Sequence, residues 1–489
     1  MTMPQARITR IVAGALLAIF VGAMNGSIID TVAPTIVGEL GGFSLYAWIY
    51  TASLIAGAAV TLVAGRLADL YGRRALLLGG LLCFALGSIL CASAHQLPVL
   101  IAGRGLQGVG AGTLLPLAST LIGDLFSGAQ RARMQGVATI VWAIAACAAP
   151  VIGGSFVQWL HWRDVFWMNL PLAAATAILL WPLPQPPRRL PSFDLAGTLT
   201  LLATITTLML AISLAPASLS LWLAGATVVL ALIWWQTARH AEEPILPIGL
   251  LRLPTIATSM IAAVCVNLPL TGTTAYLPLV LQGVGGLSPT ASGAVLLLLS
   301  LGWSLGANFV TPLARRLGIR SSAACGFTGV AIGTGLLTQL PRFPLLPLSI
   351  AAMAMLGIGM GITATLLTLL AQHNTRYEIR GGATSALTFA ENTAGAAGTA
   401  LAGTLLHHFL QHHNAATLLD ELASRLALHP PSTDPALQAA RQTLLVAYTP
   451  LAAVMLIPAC AVFAVLLWLP KIDLFASEEN ETSPNALSP

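Results

Sequence analysis

The amino-acid sequence predicts an all-α polytopic membrane protein. Of its 489 residues, 56% are hydrophobic and only 8% are charged, and the mean hydropathy is +0.84. No soluble domain of this length hides so much apolar surface. The hydrophobic residues gather into about fourteen runs, each roughly the twenty residues that cross a bilayer as a helix. Connections rich in arginine alternate along the chain with connections that carry little charge, which implies an even number of spans.

The first span follows an N-terminal segment carrying Arg7 and Arg10. Its apolar run is too long for a signal-peptide core and reads as an uncleaved helix. Runs 45–64 and 75–94 flank a charged island at 65–74. Gly65 and Gly72 tighten that turn, and Asp69 faces Arg66, Arg73 and Arg74 across a narrow gap. Further arginine loops lie at Arg131/Arg133, Arg188/Arg189, Arg239/Arg252, Arg315/Arg316/Arg320 and Arg376/Arg380. The opposite connections hold only Arg163, Arg342, Arg425 and Arg441. The positive-inside rule then puts the arginine loops and both termini in the cytoplasm.

The runs divide into groups. Residues 1–187 form an N-terminal bundle, ended by the Pro-rich link at 182–191. Residues 188–250 add two helices, roughly 195–215 and 219–237, with their linkers. Residues 251–470 form a second bundle, and 471–489 form a cytoplasmic tail. Within the second bundle, 312–320 echoes the first island: it keeps a glycine, Gly318, and a terminal arginine, Arg320, but has lost the acid. An echo at matching loops is expected of duplicated transporter halves. The connection 411–442 contains an amphipathic stretch, 418–428, expected to lie on the membrane surface.

The net charge of +5 and a pI near 9.1 do not indicate nucleic acid, because the basic residues sit in short loops rather than on one face. Cys83, Cys91, Cys147, Cys265, Cys325 and Cys460 all lie in apolar runs without C-x-x-C spacing, and read as small packing residues. His407, His408, His412 and His413 read as exposed polar residues at a span end, and no metal is expected. The only lysine is Lys471 and no phosphate-binding loop occurs, so ATP-driven pumping by this chain is not expected.

An ionisable group in hydrocarbon costs about 2.5–3.5 kcal/mol on insertion scales and marks a functional position. The acids inside predicted spans are Asp30 and Glu391. Asp30 in the first span and Arg104 in the fourth both lie about 10–12 Å from the outer ends of their helices, and Glu391 lies near the midplane. Trp142, Trp303, Asn267 and Asn308 fall mid-span and are candidates to line a pocket for flat organic molecules. Trp234 and Trp235 are expected to anchor at the interface.

The island G-x-L-A-D-x-x-G-R-R at 65–74 resembles the loop between the second and third spans of the major facilitator superfamily. Other segments resemble its fourteen-span drug:H+ antiporter-2 branch: 34–42 (PTIVGELGG), 104–110 (RGLQGVG) with Pro116, Trp162-Arg163 to Asn169-Leu170-Pro171, 193–197 (FDLAG), and Tyr276-Leu277-Pro278 to Ser288-Pro289. The resemblance implies two six-helix bundles plus two extra central helices, and an exporter of toxic compounds driven by inward proton flow. It implies that Asp69 and Arg73 latch the halves on the cytoplasmic side, with Asp124 placed to join them. The fifth span keeps Pro150, Gly153 and Gly154 of the antiporter motif but has Ala145 and Ala149 where glycine is usual. Packing and gating are equally open for it.

Two departures concern charge. Asn25 stands where the first-span acid is usual, and Asp30 follows about 140° around and ~7.5 Å along the helix. By resemblance the first and fourth spans are neighbours, so Arg104 is expected to pair with or face Asp30, an alternation that couples proton binding to conformational change. Glu391 replaces an arginine common in the family, which suggests a cationic substrate or a second proton site, or else a neutral acid bonded to a neighbouring helix. The expected function is proton-coupled export of a lipophilic or cationic compound by alternating access, with protons as coupling ion and no cofactor. Uptake or facilitated movement of a metabolite stays open, as does, further off, a membrane-integral sensor or enzyme. The expected partners are the small-molecule substrate and the lipid bilayer. A periplasmic adaptor protein is left open, the chain is expected to be monomeric, and its location is a bacterial cytoplasmic membrane.

Overall fold

Inside hydrocarbon a backbone has no water to bond, so each apolar run closes its hydrogen bonds within a helix. The computed structural model describes residues 4–126, 128–184, 194–213, 217–241, 249, 253–373, 380–412 and 435–469, and among them no strand occurs. The first helices are α1 (Gln5–Leu40), α2 (Tyr46–Tyr71), α3 (Arg73–Ala92), α4 (Leu97–Leu125), α5 (Gly128–Trp159), α6 (Trp162–Trp167) and α7 (Asn169–Leu180). Then come α8 (Leu195–Ser213) and α9 (Ala217–His240). The last are α10 (Pro254–Thr274), α11 (Leu277–Gly283), α12 (Pro289–Leu337), α13 (Leu345–His373), α14 (Arg380–His412) and α15 (Pro435–Ala461).

Among the described residues, ten helical segments are long and apolar enough to cross a membrane, and Ala196–Ile212 is a shorter apolar helix. This count does not reduce to one segment per span. The helix α12 runs 49 residues and is broken at Gly318, whose φ of 78° is left-handed. Unbroken it would extend about 73 Å, more than twice the hydrocarbon core. Gly72, at φ 87°, turns the chain in the same way between α2 and α3. The repeated glycine of the two arginine loops is thus a repeated left-handed turn, a conformation that only glycine adopts without strain.

α1 packs on α4, α5 and α7, α3 on α4 and α7, and α2 on α4. Among the later helices, α10 packs on α14 and α15, and α12 on α13 and α15. These two sets meet along α5–α12, α2–α14 and α1–α12. α8 and α9 pair with each other, and α8 alone reaches α2 and α14. α9 turns Leu221, Trp222, Val228 and Leu232 outward, as a helix facing lipid does. Most of the link 182–191, the stretch 418–428, Arg376, His413 and the tail 471–489 lie outside the described residues.

Small residues set the close approaches. A Cβ on Gly108 or Gly112 of α4 would overlap the backbone of Ser53 or Gly57 on α2, and one on Gly103 or Gly110 would overlap α3. Gly105, on the same helix, has nothing near it. Gly108→Leu should therefore cost about 1–3 kcal/mol or more of packing. It should be read as a fall in unfolding temperature and in monodisperse yield after detergent extraction. Gly105→Leu should behave as the unmodified protein in both measurements.

Candidate functional site

Arg104 is the centre of the site. The α4 glycines bring α2 and α3 against its helix, so the guanidinium is enclosed, with a relative exposure of 2%. Its Nη1 donates to Asn25 Oδ1 (2.8 Å) and to Gln107 Oε1 (2.8 Å), and its Nε to the Ile49 carbonyl (3.1 Å). Gln107 Nε2 passes a hydrogen bond to Ser88 Oγ at 2.8 Å, and Asn169 Nδ2 reaches the same hydroxyl at 3.4 Å. One polar chain thus joins α1, α2, α3, α4 and α7. Each acceptor is neutral, which leaves the cation hydrogen-bonded but not cancelled.

Of the two expected arrangements, Arg104 paired with Asp30 or facing it, no hydrogen-bonded pair forms, while the two groups stay within Coulombic reach. Asn25 occupies the side of α1 that faces α4, and Asp30 lies about 140° further round the helix. Asp30 is half-buried, within Coulombic reach of Arg104 and of the Tyr46 and Tyr50 hydroxyls. Its carboxylate hydrogen-bonds to no described residue. Motif patterns signalled Asn25 and Arg104 but not their partners: Gln107, at i+3 from Arg104, was the readable one.

Two seams join the sets. Along α5–α12, Pro150 and Gly154 abut the start of α12: a Cβ on Gly154 would overlap Pro289, and one on Gly293 would overlap the Pro150 carbonyl. Gly153 stands against Thr31 and Ile28 of α1. Ser300 Oγ donates to the Ala146 carbonyl (3.1 Å), Gln282 Nε2 to the Thr31 carbonyl (3.2 Å), and the rings of Trp142 and Trp303 lie 6.0 Å apart. At the other seam, Tyr46 and Tyr50 of α2 both donate to the Ala275 carbonyl at the end of α10, at 3.0 and 3.3 Å. Tyr46 also packs on Tyr276, with centroids 4.9 Å apart. Beside them Glu39 accepts from Trp162 Nε1 and from Arg163 Nη1, both at 2.6 Å, and fastens the end of α1 to α6. Sequence reasoning missed the tyrosine pair; its signal was the i, i+4 spacing at the start of α2.

The opposite end carries the arginine loops, and several contacts there lie within one set. Arg73 pairs with Asp124, Arg74 lies over the Trp181 ring at 4.5 Å, and Arg7 Nε donates to the Pro182 carbonyl (2.8 Å). Arg320 Nε donates to the Leu469 carbonyl at 2.8 Å, within the second set. Gly65 is exposed within α2, which continues to Tyr71, so of the two glycines expected to tighten the turn only Gly72 does so; the side chains of Arg66 and Asp69 lie outside the described residues.

Other candidates stay apart. Asn267 Nδ2 donates to the Ala263 carbonyl (2.9 Å) of its own helix, and Asn308 Nδ2 to the Ser304 carbonyl (2.7 Å) on an exposed face. Glu391 of α14 is half-buried and hydrogen-bonds to no described residue. It shares a face with Gly395, whose carbonyl accepts from Thr271 Oγ1 of α10 at 2.8 Å. The structure does not join Glu391 to Asp30.

The profile of the Major Facilitator Superfamily matches residues 15–399. The chain belongs to this superfamily. Multidrug transporter protein MdtP of Bacillus subtilis (strain 168) is 31% identical over 411 residues, 82% of this chain and 76% of that protein. Multidrug resistance protein 3 of the same organism is 29% identical over 412 residues, covering 83% and 80%. Efflux pump FUS6 of Gibberella moniliformis is 31% identical over 309 residues, 60% of this chain, and the match spans only 55% of that relative. A solved bacterial homolog of the human lysosomal transporter Spinster, inward-facing and unoccupied, shares the fold with a TM-score of 0.66 at 15% identity, covering 95% of this chain and 98% of that one. As a major facilitator protein, the chain is a multi-pass membrane transporter.

In this transporter the Arg104 network makes one rigid unit of the first set. Asn25→Leu removes an acceptor and leaves a buried N–H unpaired, at a cost of about 1–3 kcal/mol. A lower unfolding midpoint in detergent should report it, whereas Asn25→Asp, which keeps the acceptor, should hold the midpoint. The double variant Tyr46→Phe/Tyr50→Phe removes the Ala275 hydrogen bonds, worth about 0.5–1.5 kcal/mol each. Spin labels at Ser44 and Arg342 should then show a broader, longer distance distribution than in the unmodified protein.

Proposed function

We propose that the protein exports a lipophilic or cationic compound in exchange for protons, by alternating access, as a fourteen-span member of the drug:H+ antiporter-2 branch. The two breaks in the apolar pattern support that count. α12 supplies a span on each side of Gly318, α6 with α7 supplies one, and α8 and the weakly apolar α14 complete it. On this reading 1–187 and 251–470 are the moving bundles, and 188–250 is the added helix pair. The arginine loops and both termini face the cytoplasm of a bacterium, and the chain acts as a monomer without a cofactor.

One observation carries the coupling. Asp30 is a carboxylate without a hydrogen-bond partner among the described residues, standing between the buried cation of Arg104 and the tyrosines that close one seam. A proton on Asp30 cancels its attraction to Arg104, and its loss restores that attraction. The same event occurs next to Tyr50, whose hydroxyl holds the two sets together. Protonation and closure therefore share a neighbourhood, which coupled transport requires. Glu391, near the midplane on α14, is the counter-charge for a cationic substrate.

A second reading is uncoupled, facilitated transport. It is favoured by Asn25, a neutral group that is one of the two side chains accepting from Arg104 at 2.8 Å.

Everted membrane vesicles with an imposed pH gradient separate the two. Asp30→Asn should reduce gradient-driven accumulation by at least about tenfold, the equivalent of about 1.4 kcal/mol. Substrate counterflow at equal pH should persist. Gradient-driven transport that survives in Asp30→Asn sinks the coupling role. Glu391→Gln should weaken transport of cations and spare neutral compounds; an equal loss of both would remove Glu391 from cation recognition.

A further inference from the structure

Two arginines at the ends of the first set are matched by acids, Arg73 by Asp124 and Arg163 by Glu39. Three others meet at one corner of the bundle without a counter-charge. Arg7 and Arg10, in the first turns of α1, donate to the Pro182 and Ile178 carbonyls at the end of α7, at 2.8 and 3.1 Å. Arg74, at the start of α3, lies over the Trp181 ring just past α7. α7 packs on both α1 and α3, so the three guanidiniums surround one helix end. Among the described residues no carboxylate comes within ion-pair distance of any of them.

Capping explains part of this convergence, because a helix C-terminus favours nearby cations. It does not use the cations up. The carbonyls are neutral acceptors, and Arg10 commits to them one of its five N–H groups. Arg74 touches Trp181 through the face of its guanidinium and hydrogen-bonds to no described residue. Arg7 and Arg10 are exposed and Arg74 is half-buried, so three positive charges stay open to a ligand.

The corner lies where the helices leave the hydrocarbon. α1 has 36 residues and is about 54 Å long against a core about 30 Å thick, so its first turns extend beyond that core. Trp181 is exposed there, at the level where tryptophan favours the headgroups. From Arg74 the i, i+4 row of α3 runs through Leu78 to Leu82 and Leu86, and both of the last two are exposed. On the neighbouring α7, Ile178 is exposed as well. Positive charge at headgroup depth beside an apolar strip is complementary to an anion that carries hydrocarbon chains. A soluble anion would leave the strip uncovered, and a zwitterionic lipid would bring its own cation to the arginines.

We propose that the α1–α3–α7 corner binds an anionic glycerophospholipid from the leaflet at the arginine end. Arg7, Arg10 and Arg74 hold its phosphodiester, and its acyl chains lie along Leu82, Leu86 and Ile178. The site belongs wholly to the first set and is independent of what the protein transports.

The test titrates the full chain in detergent with dioleoyl phosphatidylglycerol and follows bound lipid by native mass spectrometry. The lipid should bind saturably, and dioleoyl phosphatidylethanolamine should bind at least about tenfold more weakly. Arg7→Gln/Arg10→Gln keeps amide donors for the α7 carbonyls but removes two charges. It should weaken phosphatidylglycerol binding about thirtyfold, from about fivefold for each charge. Arg7→Lys/Arg10→Lys keeps the charges and should stay within about threefold of the unmodified protein. Arg239→Gln removes another arginine of the same end, one stacked on Trp235 at 4.8 Å, and should leave binding unchanged. Equal binding of the two lipids would overturn the site. So would equal losses in the glutamine and lysine pairs, which would trace the effect to a loosened α7 end rather than to charge. A loss in Arg239→Gln as large as in the glutamine pair would reduce the binding to diffuse attraction and overturn it too. Displacement of the lipid by an equal concentration of inorganic phosphate would do the same, since the apolar strip would then contribute nothing.

Discussion

The first bundle is organised around the need to bury a guanidinium. A cation moved from water to a medium of low dielectric is penalised by several kcal/mol even after relaxation. Arg104 meets that penalty with neutral oxygens from three helices, Asn25, Gln107 and the Ile49 carbonyl. To bring the Ile49 carbonyl within 3.1 Å, and Ser88 of α3 within 2.8 Å of Gln107, α4 lies almost in contact with α2 and α3. That contact is what its glycines permit, since Gly103, Gly108, Gly110 and Gly112 each stand where a side chain would overlap a neighbouring helix. The glycine stripe and the arginine are therefore one device, because neither the approach nor the charge is tolerable without the other.

A device of that kind stiffens what it joins and frees what it does not. The hydrogen-bond chain through Ser88 and Asn169 extends the rigid unit to α3 and α7. Asp30, about 140° round and ~7.5 Å along α1 from Asn25, is left outside it and has no hydrogen-bond donor among the described residues. The ties between the sets are of another kind, single hydrogen bonds from Tyr46, Tyr50, Gln282 and Ser300 to backbone carbonyls. Each contributes about 0.5–1.5 kcal/mol, an amount that a proton or a substrate can offset. The contrast between a charge-centred interior and lightly tied seams suits bundles that move as bodies.

Much of the architecture was legible in the sequence because hydropathy acts on one helix at a time. Run length announced apolar helices, and Gly72 and Gly318 of the two arginine loops announced left-handed turns, whereas Gly65 of the first loop lies inside α2. What periodicity does not supply is the partner of a given face. Equal depth suggested Asp30 for Arg104, but depth is only one of two cylindrical coordinates, and the angular one selected Asn25. Glu39 and Arg163 lay in separate motif fragments, and only the fold brings them to 2.6 Å. α14 is a hard helix to read as a span, since its Gly, Ala, Thr and Glu391 lower its hydropathy. Those residues face other helices rather than lipid, so a window average over the chain undervalues it.

The pair α8–α9 shows how an addition to a bundle acquires a role. α9 touches chiefly α8 and turns large apolar residues outward, so it contributes little to the interior. α8 does otherwise: Leu201, Ile205 and Met209 pack with Ile55 and Ala58 of α2 and with Phe389 and Ala396 of α14. Those residues come from both sets, so α8 bridges a boundary across which relative motion is expected. A rigid clamp there would oppose the motion. A cover fastened at one end tolerates it, because the apolar contacts at the other end are non-directional and can slide or part without breaking a hydrogen bond. α8 has polar ties to α14 through Ile212 and to α9 through Ala211 and, further along, Thr207, whose hydroxyl accepts from Thr227 at 3.1 Å. Its contacts with α2 among the buried residues of this cluster are apolar.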